Sequence, residues 1–264
     1  MNTVLDGLAS NPALPASLVS RLIGLADGVL ALTLARRSDL SAADVQALLA
    51  RDDPDVVAAL LESGWVAPSS VPVTDPRIAL VVAEHPDAPL DLVRSLAAHP
   101  DPVVRARLAR LAHRLPADVA ALLARDPDER VVASVVGRAR PSARVEPLPS
   151  LSAAQIRSLV SQGPHAFLTA ARSPECPPEL LHLMAERSEE VELHRAIARH
   201  PRASGETLLL CLGDAQARHL AAAHPHLPVP MILKLLGSEF TAGPAASNPS
   251  LPVAVMEELL NSTT

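Results

Sequence analysis

The feature that most limits what this chain can fold into is an internal repeat. The segment Asn11 to Val19 (NPALPASLV) has copies that end at Val93, Leu181, Ile232 and Met256, and weaker ones that end at Val45, Val119, Ile156 and Leu208. Successive steps from Val19 are 26, 48, 26, 37, 25, 27, 24 and 24 residues, so the period is near 25 and the 48 spans two periods with a degraded copy between them. A repeat of this length cannot bury a core alone and is stable only when stacked on its neighbours. Composition agrees. Hydrophobic residues make up 48% but aromatics only 1%, namely Trp65, Phe167 and Phe240. Thin layers glued by Ala, Leu and Val need few large rings.

Each unit reads as two short helices. The first opens at a column holding Pro15, Ser41, Pro89, Ser152, Pro177, Ser204, Pro228 and Pro252, with Leu115 as the exception and Pro116 behind it. Ser is suited to an N-cap and Pro to the first helical turn. The second opens at HPDP (His99 to Pro102), DPDE (Asp126 to Glu129) or DDPD (Asp52 to Asp55), where a carboxylate meets the positive end of the helix dipole. Near its end stand Ala35, Glu62, Ala83, Ala109, Gly137, Ala171, Ala198, Ala222 and Ala246, eight of nine with minimal side chains, which predicts close helix approach there. The next column is Arg36, Ser63, Glu84, Arg110, Arg138, Arg172, Arg199, Ala223 and Ser247, and the unit closes on Asn11, His85, Ser173, His200, His224 or Asn248 before a proline that stops the helix.

This pattern of Ala, one residue, Asn or His, Pro, then Pro, a Leu pair, DPDP and a Val-Arg pair resembles the leucine-rich repeat variant family of bacterial proteins, and more broadly the HEAT-like solenoids. The clearest copy runs from His85 to Leu111 (HPDAPLDLVRSLAAHPDPVVRARLARL). The resemblance implies an all-α fold, a right-handed α-solenoid of about nine to ten two-helix repeats in which an α-helix is followed by a 3₁₀-like one, and it implies no reaction. Where members of that family carry an iron–sulfur cluster it sits on a cysteine-rich N-terminal segment; here the first cysteine is Cys176, so no cofactor is expected.

The period breaks twice. From Trp65 to Pro76 (WVAPSSVPVTDP) prolines and hydroxyl residues replace the expected first helix, and the stretch holds the single tryptophan. Trp65 is either an interface anchor or an indole that plugs the gap. From Arg138 to Leu151 (RARPSARVEPLPSL) an insertion carries Arg138, Arg140 and Arg144, and its prolines exclude a helix. It is a candidate contact loop or a tolerated surface insertion.

Other chemistry finds little support. Cys176 and Cys211 are too few for a disulfide framework or a four-cysteine metal site, and are expected to be buried thiols. The densest histidine cluster, His219, His224 and His226, lacks metal-site spacing, and His224 falls in the column shared with Asn11 and Asn248, where a helix-end hydrogen bond explains it. Nucleophile-elbow and phosphate-binding glycine motifs are absent, so an enzyme is the least supported class. With 29 acidic and 23 basic residues, net charge −6, no general attraction to phosphate backbones is expected. The preference for arginine, with Lys234 the one lysine, reads as codon bias of a GC-rich genome. No leader pattern or long apolar run appears, which predicts a cytoplasmic location and no membrane partner.

The expectation is therefore a non-catalytic scaffold for another protein or peptide, with Arg110, Arg138, Arg140, Arg144, Arg172, Arg199 and Trp65 as candidate contacts. The arginine column admits two readings: a ladder along one edge that meets phosphates or an acidic peptide, or guanidinium groups that serve their own helix ends and pair with neighbouring carboxylates. A nucleic-acid-binding HEAT-like solenoid is the alternative, set against the acidic balance and the lack of aromatics for base stacking.

Overall fold

The computed structural model describes residues 3–73, 75–111, 115–135 and 151–262, and among them the regular structure is entirely helical. In chain order the helices are α1 (Thr3–Ser10), α2 (Ala16–Leu25), α3 (Gly28–Ala35), α4 (Ala42–Leu49), α5 (Pro54–Glu62), α6 (Pro76–Glu84), α7 (Leu90–Ala97), α8 (Pro102–Ala109), α9 (Ala117–Leu123) and α10 (Glu129–Val135). They continue as α11 (Ala153–Ser161), α12 (Phe167–Ala171), α13 (Pro178–Arg187), α14 (Val191–Ala198), α15 (Gly205–Cys211), α16 (Arg218–Ala223), α17 (Val229–Leu236), α18 (Ala242–Ala246) and α19 (Val253–Asn261). None of these is long and apolar enough to cross a membrane.

The helix starts follow from their capping residues. Ser41 and Ser152 form full capping boxes with Asp44 and Gln155. Asp53, Asp75 and Asp101 cap α5, α6 and α8, each accepting a hydrogen bond from the backbone N–H two residues on, with a proline at the next position where no N–H is needed. Pro89, Pro116, Pro177, Pro228 and Pro252 differ from the expectation by one place: they stand at the cap itself, just outside the first turn, with φ from −54 to −64° and extended ψ. The ring imposes that φ, and the cap N–H is not one the helix uses. The second helices are α-helical, as short as five residues in α12 and α18, rather than 3₁₀-like. The 3₁₀ turns among the described residues are Pro68–Ser70, inside the first break in the period, and Pro164–Ala166, which leads into α12.

The chain divides into two compact units, Met1–Leu22 with Glu146–Thr264, and Ile23–Val145. In both, the anchoring apolar column (Val19, Val45, Val93, Val119, Ile156, Leu181, Leu208, Ile232 and Met256) is buried, as are Ala35, Ala83, Ala109, Ala171, Ala198, Ala222 and Ala246 of the small-residue column. Glu62, the exception in that column, is exposed, and Gly137 lies outside the described residues.

In the unit Met1–Leu22/Glu146–Thr264 the boundary column does more than stop helices. Asn248 Nδ2 donates to the carbonyls of Ala222 and His224, both at 2.8 Å, while its Oδ1 accepts from Ser250 N. Asn11 repeats the contact on the C-terminal repeat, its Nδ2 donating to the carbonyls of Ala246 (2.9 Å) and Asn248 (2.7 Å) and its Oδ1 accepting from Ala13 N. His224 Nε2 reaches the His200 carbonyl (3.0 Å) and His200 Nε2 the Ser173 carbonyl (2.9 Å), while each Nδ1 accepts from the N–H two residues on. A carbonyl only accepts and an N–H only donates, so both imidazoles are the neutral Nε2–H tautomer. Neutral histidine and asparagine thus offer the same donor and acceptor, which is why they alternate in one column.

The N-terminal α1 is therefore the next layer after α18. Gly7 and Gly243 let the two helices touch: a Cβ on Gly7 would press into the Gly243 carbonyl oxygen, and one on Gly243 would come within 2.7 Å of the Thr3 carbonyl oxygen. Arg21 on α2 donates to Asn261 Oδ1 on α19 at 2.8 Å beside this contact. In the unit Ile23–Val145 other groups tie the layers: Arg105 pairs bidentately with Asp126 (2.7 and 2.9 Å), and Arg51 donates to the Ala26 carbonyl (2.7 Å).

Ala109→Leu is expected to destabilise the protein by about 1 to 3 kcal/mol through overpacking, whereas Glu62→Ala should change stability by less than about 0.5 kcal/mol, both read from denaturant midpoints. Asn11→Ala leaves two buried carbonyls without their donor and should cost about 1 to 3 kcal/mol. Hydrogen exchange should then rise in α1 and α18 first; exchange spread evenly over the chain would contradict the layer assignment.

Candidate functional site

The sequence-derived candidates separate into three groups. Arg138, Arg140 and Arg144 lie outside the described residues. Trp65 is half-buried, and its indole N–H donates to the Arg37 carbonyl at 2.8 Å, closing the loop after α5 onto the turn after α3. That bond uses the polar edge of the ring internally. Arg37 is itself held by a bidentate pair with Asp39 (2.8 and 2.7 Å).

The column arginines form the third group. Arg36, Arg110, Arg172 and Arg199 occupy the C-cap positions of α3, α8, α12 and α14, and all four are exposed. A cation is favoured at that end of a helix. None of the four has a carboxylate partner among the described residues. Other arginines pair instead: Arg105 with Asp126, Arg130 with Asp128, Arg195 with Glu192 and Arg202 with Glu175. The hydrogen bond from Arg130 holds the Asp128 carboxyl down at about 2, and that from Arg105 holds Asp126 below its usual range. Asp126 and Asp128 are thus neutralised locally, while Asp53 and Asp101 act as helix caps without an ion pair among the described residues.

Of the arginine column the structure brings Arg172 and Arg199 together. The helices that carry them, α12 and α14, pack on each other. Both guanidinium-bearing residues line a depression of about 400 Å³ with Ala171, Pro174, Glu192, Ala196, His200 and Pro201. Arg199 also lines an adjoining depression of about 610 Å³ with Asp6, Ser10, His219, Leu220, Ala223, Pro225, Pro244 and Ser247. Arg110 belongs to the other unit, and Arg138, the column member between Arg110 and Arg172, lies outside the described residues. His219, exposed at the groove, and Asp6 and Ser10 on α1 were not among the sequence candidates. A signal for the last two existed: Ala9, Ser10, Asn11 and Pro12 repeat Ala246, Ser247, Asn248 and Pro249 residue for residue.

In the unit Ile23–Val145 a depression of about 470 Å³ is lined by Arg51, Asp52, Asp53, Asp55, Arg77 and Arg107. Its charges are mixed. Cys176 and Cys211 are buried, and burial pushes their thiols up to about 11 and about 12, which removes nucleophilic character. Among the described residues no three His, Cys, Asp or Glu side chains converge in a way that would hold a metal ion.

The hydrogen-bonded column lines both depressions, through His224 in one and His200 in the other. Burial lowers the pKa of His224, and the neighbouring His226 and His200 imidazoles add to the effect against the opposing hydrogen bond to the His200 carbonyl.

Comparison of the chain with protein-family models, curated proteins and solved structures gives no match.

Because His224 is harder to protonate folded than unfolded, its contribution to stability is complete above its unfolded value near 6.5 and is lost as pH falls through the lower folded value. Melting temperature should fall between pH 7.5 and 5, and His224→Asn, which keeps a donor and an acceptor as at Asn248, should flatten that profile. A profile unchanged by the substitution would assign the acid sensitivity elsewhere. Trp65→Phe, which removes the bond to the Arg37 carbonyl, should cost about 0.5 to 1.5 kcal/mol in chemical denaturation.

Proposed function

We propose that the chain is a non-catalytic interaction scaffold, a cytoplasmic right-handed α-solenoid of about nine to ten repeats akin to the leucine-rich repeat variant and HEAT-like proteins, and that it binds another protein or peptide. The observation that carries this reading is the pair of adjoining depressions, about 400 and 610 Å³, that share Arg199 along the ends of successive second helices. The residues before them in each repeat stack the layers and the residues after them stop the helix. In the column between those two, Ser247 donates its hydroxyl to the Pro244 carbonyl, whereas Arg172 and Arg199 have no carboxylate partner among the described residues and present their guanidinium groups to a ligand.

The thiols are buried and unactivated, and the reading rests on the shape and charge of the groove as its means of recognition. The basic segment with Arg138, Arg140 and Arg144 belongs to the same proposal as a separate contact, and replacing all three by Ala should weaken partner binding.

A photo-crosslinking side chain at Ala223, in the groove, is expected to capture protein from native lysate, while the same group at Leu209, exposed on α15 outside the groove, captures none above background. Equal capture at both positions, or adducts that are nucleic acid, would overturn the reading.

A further inference from the structure

The groove has a charge pattern that selects among ligands. Arg172 and Arg199 stand one repeat apart, on adjacent second helices, and neither has an internal counter-ion among the described residues. Neighbouring helices pack at about 8 to 10 Å, which is about three residues of extended peptide in the polyproline-II form at roughly 3.1 Å each, whose three-residue turn puts residues i and i+3 on the same face. Two acidic residues in an i, i+3 relation along an extended segment therefore match the two guanidinium groups, each of which can take a carboxylate bidentately.

The walls between them argue against a continuous polyanion. A nucleic-acid strand carries a charge on every nucleotide, about one per 3.4 Å of axis in a duplex, so across the two arginines it would press further charges onto Ala171, Ala196, Pro174 and Pro201, and onto the Glu192 carboxylate that lines the same depression. Asp6 does the same in the adjoining one. A peptide avoids both penalties, because the residues between its acids can be small or apolar and lie on those walls. The rest of the chain strengthens the choice: with a net charge of −6 it repels an acidic segment generally and attracts it only where unpaired cations cluster. Arg157 and Arg187 are also exposed in this unit, but they belong to the first helices α11 and α13 and line neither depression.

We infer that the groove bearing Arg172 and Arg199 binds an extended acidic peptide segment of a partner protein, with carboxylates three residues apart seated on the two guanidinium groups. This rests on the scaffold reading above and adds to it the chemistry of the ligand.

The test uses the full chain and two probes. The first is a fluorescein-labelled twelve-residue peptide with Glu at every third position in an Ala/Ser background, alongside its Gln counterpart; the second is a phage-displayed library of random twelve-residue peptides. The Glu peptide is expected to bind, to weaken as salt rises from 50 to 300 mM, and to lose about tenfold or more of its affinity in the Arg172→Ala/Arg199→Ala variant, with Arg187→Ala as the unchanged control. Circular dichroism melts confirm that the variants are folded. Library selection should enrich Asp and Glu three apart. Equal binding of the Gln peptide, indifference to the double substitution, displacement by single-stranded DNA at equal concentration, or enrichment of neutral peptides alone would each overturn the acidic ligand; the last would leave the scaffold reading standing. A library that yields no binder, together with a Glu peptide that does not bind, would end both.

Discussion

Layers of short helices face a specific difficulty. Every helix ends in carbonyls that have no partner within it, and where repeats stack those ends are pressed against the next layer, out of reach of water. In the unit Met1–Leu22/Glu146–Thr264 a single column of side chains answers that need. Asn11, Asn248, His224 and His200 each send an N–H into the carbonyls of the preceding layer and use their other polar atom to hold the turn that follows. Burying a hydrogen-bonded amide or neutral imidazole is tolerable where burying the bare carbonyl is not. The rest of the layer depends on this: the proline that follows, the small residue before it, and the exposure of the column in between. The series reaches Ser173, which is buried in the same column and whose hydroxyl finds no partner among the described residues.

The arrangement also explains where a binding surface arises. A residue wedged between the small column and the boundary column sits at the helix C-cap, its backbone committed and its side chain outward. Arginine suits the dipole there and reaches far from the backbone. In the unit Ile23–Val145 layers are held instead by side-chain ion pairs and by arginine or tryptophan donors to carbonyls, and the arginines that do this, Arg105 and Arg51, are consumed internally. In the other unit Asn and His do the stacking, and in both units the C-cap arginines, Arg36, Arg110, Arg172 and Arg199, are left without a carboxylate partner among the described residues.

Sequence reasoning reached the repeat, the two-helix unit, the N-cap column and the buried alanines, because each rests on local physics: capping oxygens, ring-constrained φ and the periodicity of apolar faces. It left the role of the boundary column at helix termination, with a helix-end hydrogen bond for His224, since the carbonyls that Asn248 meets lie 24 and 26 residues away. It left Trp65 open between anchor and plug, and the indole bond to the Arg37 carbonyl, 28 residues back, marks an internal duty for the ring edge.

What the order of residues determines on its own is therefore the helical layer: its two segments, their start and stop signals, and which faces are apolar or small. Which layers meet, and which charges remain unspent, follows from three-dimensional packing. Asn11 and Asn248 are near opposite ends of the chain, and nothing local says that one will rest on the other; the close glycine contact of Gly7 with Gly243 brings them together. Arg172 and Arg199 are 27 positions apart in the same column, and it is the packing of α12 on α14 that brings them to one groove. Coulomb and hydrogen-bond energies act across a few ångströms of space whatever the separation along the chain, so the partners of each group are settled only when the layers have stacked.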